Sequence, residues 1–170
     1  MDVVRPPDAA RLAQVSHSEC GPDLDNLPRA EFAFPGPLRD KLVAAILSGH
    51  KTATTSLAIE YEIFDDDPFP TVGARSVLID SAQRPRAVLE TTAVRVVRLD
   101  EVNLAHAVDE GEGHTTVAAW RADHEAFWSS ADVRQALGDP HFTVDDATQV
   151  VLERFRVVRA WEADRSPTTN

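Results

Sequence analysis

A chain of 170 residues, 43% apolar and 26% charged, is long enough to bury one sizeable core and has the composition of an ordinary globular domain. Its net charge of -11 opposes non-specific binding to a polyanion, so any contact with RNA has to come from a local basic pocket. A single cysteine, Cys20, excludes an internal disulfide framework or a cysteine-rich zinc site, and no apolar run approaches the roughly 20 residues that span a bilayer.

The first residues, MDVVRPPDAARLAQ, lack the basic-then-apolar layout of a secretory signal, and the expectation is a reduced, cytoplasmic protein. Residues 1–30 read as an N-terminal extension in which DAARLAQV forms a short helix. One domain follows over 31–162, and 163–170 read as a frayed tail. The segment GPLRDKLVAAILSG predicts a helix with Pro37 in its first turn, Leu38, Leu42, Ala45 and Ile46 on one face, and Gly49 as its stop. Then comes SGHKTATTS, one lysine with four hydroxyl side chains in the five residues after it, entering a strand or an extended loop.

The acid- and proline-rich DDDPFPTVG reads as a loop. After it, ARSVLID and RAVLETTAVRVVRL are rich in β-branched residues and read as strands joined by a turn at SAQRP. DEVNLAHAVDEGEGH opens with a short helix and runs into a glycine-spaced loop; TTVAAWRADHEAFW is a threonine-capped helix carrying Val117, Trp120, His124 and Phe127 on one stripe. QVVLERFRVVRAW closes the domain as a long strand alternating Val151, Phe155, Val157 and Trp161 with Arg154 and Arg156. Strands without regular helical crossovers predict an α+β fold on a mostly antiparallel sheet, a small open barrel with helices over its mouth.

Three groups carry possible chemistry. Lys51 serves as a base or nucleophile when desolvation or a neighbouring cation releases its proton; as a plain surface feature it is the lysine that edge strands favour, and spacing alone fits that reading better. In an extended run Lys51, Ala53 and Thr55 share one side while Thr52, Thr54 and Ser56 share the other, unless a twist brings Lys51 and Thr54 together. Glu110 and Glu112 in EGEG are either a general base presented by a pliant backbone or a solvated acidic loop before a helix. Trp120, Arg121 and His124 either sandwich a nucleobase beside a phosphate or supply core packing. No histidine spacing supports a metal site, and no phosphate-binding loop, dinucleotide fingerprint or nucleophile elbow is present.

Taken together in order, GHKTATTS, LAIEYEIFDDDPFPTVGARSVLIDSAQRPRAVLETTAVRVVRLDEV, EGEGHTTVAAWRADHEAFW and VVLERFRVV resemble the ASCH-domain family, in its longer branch, over about residues 32–160. The resemblance implies the PUA-like fold, a small β-barrel of mostly antiparallel strands with helices packed over a cleft. In the family pattern GxKxxTxR, Gly49, Lys51 and Thr54 match, whereas Ser56 stands where many members carry arginine. That removes a bidentate anchor, with Arg121 and Arg154 as candidates to replace it. Some members remove acyl groups from the exocyclic nitrogen of cytidine with a lysine, a threonine and a glutamate. By that likeness Lys51, Thr54 and Glu112 are catalytic, Glu112 being favoured over Glu110, and Ser56, Glu110, Trp120, Arg121, His124 and Arg154 bind substrate. The implied partner is a modified nucleoside or single-stranded RNA, with no cofactor or metal and no membrane. The alternatives are a ribonuclease and a non-catalytic RNA-binding module.

Overall fold

The computed structural model describes residues 24, 26–63 and 69–161. The expected helix at DAARLAQV, Cys20, the tail after residue 161 and part of the acidic loop lie outside them. Five strands form one sheet: β1 (Arg29–Ala30), β2 (Ala53–Leu57), β3 (Arg75–Ile79), β4 (Pro85–Arg98) and β5 (Gln149–Ala160). Their order is β1-β3-β4-β5-β2. Only the β1–β3 pairing is parallel. The α+β, mostly antiparallel architecture matches the sequence-based expectation, but the sheet is open rather than closed into a barrel. The two strands that would have to meet, β1 and β2, lie at opposite ends of the order, and β1 has only two residues. β1 also brings the last residues of the expected N-terminal extension, Arg29 and Ala30, into the sheet against Val77 and Leu78.

The long β4–β5 ladder is the spine of the domain. Register shifts at Val88/Leu89 and Thr91/Ala93 interrupt it, and such bulges bend a strand and increase its twist. β5 has β4 on one side and β2 on the other at its first half, where Val150, Val151, Leu152 and Glu153 are all buried. The expected alternation therefore holds only in its second half, from Phe155 onward.

Helix α1 (Pro37–Leu47) begins with Pro37 and is capped by Ser48, after which Gly49 turns the chain away with a φ of 78° that is easy for glycine. Its buried face is Arg39, Leu42, Val43 and Ile46, and Leu38 is 57% exposed. The helix is turned from the expected stripe because Arg39 goes inward. Its Nη1 pairs with Glu31 at 2.7 Å, and its Nε and Nη2 donate to the Ala33 carbonyl at 3.0 and 2.6 Å. Four further helices follow: the single turn α2 (Glu60–Ile63), α3 (Leu104–Asp109), α4 (Val117–Trp128) and α5 (Ala131–Leu137). Thr116 caps α4 through the Ala119 N–H. α2 and α5 were not foreseen, although Ser130 and Gly138 bracket α5 as an N-cap and a left-handed C-cap.

Two apolar cores result. One joins Phe32, Ala33 and α1 to β3, β4 and the end of β5; the other joins α3, α4 and α5 to β2 and the start of β5. The strand entry at Lys51 lies where the two meet.

Candidate functional site

The turn after α1 is tightly tied. The N–H groups of His50 and Lys51 both donate to the Ala45 carbonyl, at 2.9 and 3.0 Å, and the Thr52 N–H donates to Asp109 O at 2.8 Å. The bond to Asp109 joins the entry of β2 to the end of α3. Gly111 completes this approach: its φ is 67°, and a Cβ there would stand 2.5 Å from His50 O and 2.8 Å from the Lys51 Cα. The glycine of EGEG is required because two backbones touch, so its role is contact rather than pliancy.

That contact directs the Lys51 side chain into the protein. The residue is 2% exposed, and its Nζ donates to Glu110 O at 3.2 Å and to Glu112 Oε1 at 3.0 Å. The Phe32 ring centre lies 5.7 Å from Nζ, within cation–π range. An ammonium has three donors, so these two bonds leave one uncommitted.

Behind the lysine is a buried polar cluster centred on Glu110, which is 1% exposed. Its Oε1 accepts from Thr55 Oγ1 and lies 3.2 Å from His106 Nε2, which is also 2.9 Å from Thr55 Oγ1. With the threonine proton given to the carboxylate, Nε2 of His106 must carry the hydrogen shared between Oγ1 and Oε1. Glu110 Oε2 faces His124 Nε2 at 3.2 Å, while His124 Nδ1 lies 2.9 Å from the Trp120 carbonyl. A carbonyl only accepts, so Nδ1 carries a proton, and an ionised Glu110 requires a second one on Nε2. Burial by itself pushes the Glu110 carboxyl up, but the hydrogen bonds from His106 and His124 and the charge on Lys51 outweigh it and hold the carboxyl well below its usual range. Burial likewise pushes the His124 ring down, and the hydrogen bond and charge of Glu110 overcome it, raising the ring above the ordinary imidazole value. Glu110 and His124 form a charged pair inside the wall.

Lys51, Thr54 and Glu112 line a cavity of about 190 Å³, together with Ser56, Glu60 and His124. Glu112 is 31% exposed at its side chain, and it pairs with Lys51. Thr54, directly opposite Glu153 in the β2–β5 register, makes no side-chain hydrogen bond among the described residues and presents a free hydroxyl to this space. A cation, a partly solvated carboxylate and an uncommitted hydroxyl thus share one cavity wall. Such a set can polarise a carbonyl, orient a water and move a proton.

The model of the ASCH domain family matches residues 31–159. The chain belongs to the ASCH domain family. The ASCH domain of Lactobacillus crispatus JV V101 is similar at 28% identity, with a TM-score of 0.65, covering 76% of this chain and 77% of that one. A protein of Enterococcus faecalis V583 shares the fold at 24% identity, with a TM-score of 0.63, covering 76% and 75%. No curated protein matches the sequence.

Within this ASCH domain the expected site residues fall into two groups. Lys51, Thr54, Ser56, Glu110, Glu112 and His124 all line the cavity. Ser56 Oγ is 3.1 Å from Tyr61 OH, so in place of an arginine fork the position carries a hydroxyl pair. Trp120, Arg121 and Arg154 are elsewhere. Trp120 is fully buried, stacked on His124 at 4.2 Å between ring centres and edge-on to Trp128. It backs the cavity wall and is not positioned to stack on a ligand. Arg121 pairs with Glu125 and Asp146 at 2.6 Å each, and Arg154 with Asp109 at 2.6 Å, both outside the cavity lining. Thr55, His106, Glu60 and Asp123 were missed. His106 had a readable signal, since it stands one helical turn before Glu110; Asp123 and Glu60 had none, because only the tertiary packing of α4 and α2 turns them toward the cavity.

Proposed function

We propose that this ASCH domain is an amidohydrolase acting on acylated cytidine nucleosides, with Lys51, Thr54 and Glu112 as its catalytic residues. The observation that carries the reading is the 3.0 Å contact between Lys51 Nζ and Glu112 Oε1, made on the wall of a cavity onto which the Thr54 hydroxyl opens.

The remaining N–H of Lys51 donates to the acyl carbonyl oxygen and stabilises the negative charge that develops there. Thr54 and Glu112 hold a water against the acyl carbon. Glu112 takes one proton from that water as its oxygen bonds to carbon, then delivers it to the exocyclic nitrogen as the carbon–nitrogen bond breaks. Cytidine and a carboxylic acid leave, and one water is consumed. A cavity this small, in a chain of charge -11, suits a single neutral nucleoside better than a phosphodiester strand.

The test is mass-spectrometric. Wild type and Lys51→Ala are incubated with N4-acetylcytidine and, in a parallel tube, with unmodified single-stranded RNA. Release of cytidine and acetate by wild type alone supports the assignment. RNA cut only by wild type, with acetylcytidine intact, would make the site that of a ribonuclease. If both substrates survive, the domain is a binding module.

A further inference from the structure

We propose that the cavity wall formed by residues 32–42 is an acyl subsite, and that the preferred substrates are amides whose acyl group is a hydrocarbon of several carbons rather than acetyl. This rests on reading the site as one that cleaves an amide.

The two sides of the cavity differ in kind. Residues 32–42 contribute Phe32, Ala33, Leu38 and Leu42, and no polar side chain. Every polar lining group comes from the other side, from Lys51 and β2, α2, the loop at 110–112 and α4, where Phe127 and Trp128 are the only apolar ones among the described residues. Lys51 marks the seam between them, its Nζ 5.7 Å from the Phe32 ring centre and 3.0 Å from Glu112 Oε1. An amide cleaved beside that amine therefore has one substituent on each side. The nucleobase carries ring and carbonyl acceptors that lose water at a cost unless they meet partners, and partners stand only on the polar side. A hydrocarbon chain needs none and gains by leaving water. The orientation is thereby fixed, with the acyl chain toward α1.

The apolar wall is also held firmly. Ala33 has a φ of 58°, in the left-handed region that alanine seldom occupies. Its carbonyl accepts both bonds from the buried Arg39, whose third nitrogen pairs with Glu31. Phe32 packs on Phe155 with ring centres 5.7 Å apart. At the outer lip is Leu38, 57% exposed, a large apolar side chain that lines the cavity while contributing little to the core. An acyl chain lying along the wall would cover it.

The probes are straight-chain carboxylates, the acyl products themselves, titrated by calorimetry into wild type, Leu38→Ser and Leu42→Phe, with hydrolysis of acetyl- and hexanoylcytidine followed in parallel. A fully buried methylene is worth about fourfold in affinity, so even partial burial should make hexanoate bind about tenfold or more tightly than acetate. Leu38→Ser, a surface change compatible with folding, should cut that preference about threefold; Leu42→Phe should shorten the longest chain accepted. Equal affinities along the series, or a preference that survives both variants, overturns the subsite even if acetylcytidine is hydrolysed. Chain-length preference without cleavage of any acylcytidine supports the subsite and defeats the hydrolase reading instead.

Discussion

Glu110 and Glu112 are two residues apart in one loop and occupy opposite conditions. Glu110 is 1% exposed, with both carboxylate oxygens engaged by Thr55, His106 and His124. Glu112 is partly solvated and meets Lys51 at the cavity. The difference separates a carboxylate whose two oxygens are both taken inside the wall from a neighbour that keeps part of its surface open to the cavity. Gly111 separates the two: its left-handed turn presses the loop against His50 and Lys51, with both carboxylates on the cavity wall but Glu110 held by the buried cluster and Glu112 by Lys51.

The sharpest break of this contrast is a pair of truncations. Glu110→Ala leaves His124 charged and buried without its partner and should cost about 3–5 kcal/mol in chemical denaturation. Glu112→Ala takes the carboxylate from the buried Lys51 but leaves its bond to the Glu110 carbonyl and its access to the cavity, and should cost less, about 1–3 kcal/mol. Equal costs would erase the distinction. Gly111→Ala comes next. The added Cβ meets backbone at 2.5 Å and alanine resists a φ of 67°, so a loss of about 1–3 kcal/mol is expected, accompanied by loss of activity as Glu112 moves off Lys51. An unchanged denaturation midpoint would show that the backbone contact is not needed.

The pH dependence sharpens the comparison from the buried side. His124, raised in the folded state, contributes stability that is complete below its unfolded value of 6.5 and is lost as pH rises through the folded value. Glu110, lowered, contributes stability that is complete above its unfolded value of 4.5 and is lost as pH falls through the folded value. The pair therefore stabilises most between pH 4.5 and 6.5. In wild type Tm should fall by a few degrees on the alkaline side, and His124→Gln, less stable overall, should lose that decline. A parallel decline in the variant would contradict the charged pair. The smallest expected effect is that of Ser56→Ala, which removes one hydroxyl contact to Tyr61 and should cost about 1 kcal/mol by denaturation.

Much of this fold is readable in the chain. Pro37 and Gly49 bracket α1, Thr116 starts α4, and the β-branched run at 86–99 is β4. The contact of Trp120 with His124 follows from a spacing of four on a helix. Which face of α4 is buried does not, because the packing of α3 and α5 decides it, and so Trp120 belongs to the core. The inward turn of Arg39 was equally hidden, since its partners Glu31 and Ala33 belong to an irregular segment whose path no periodicity encodes. Spacing alone left Lys51 as an ordinary edge-strand lysine; the resemblance singled it out, and its burial against Glu112 depends on residues about 60 positions away. For the same reason the different surroundings of Glu110 and Glu112 were not legible, although the resemblance favoured Glu112. Those of Glu110 depend on Thr55, His106 and His124, which meet only in the folded chain.

The most direct measurement is the rate of cytidine release from N4-acetylcytidine by wild type and Glu112→Gln side by side, with circular dichroism confirming that both are folded. Turnover by wild type is expected, with a loss of about 100-fold or more in the variant at a nearly unchanged Tm. Equal rates, or no release of cytidine by the folded wild type, would contradict this expectation.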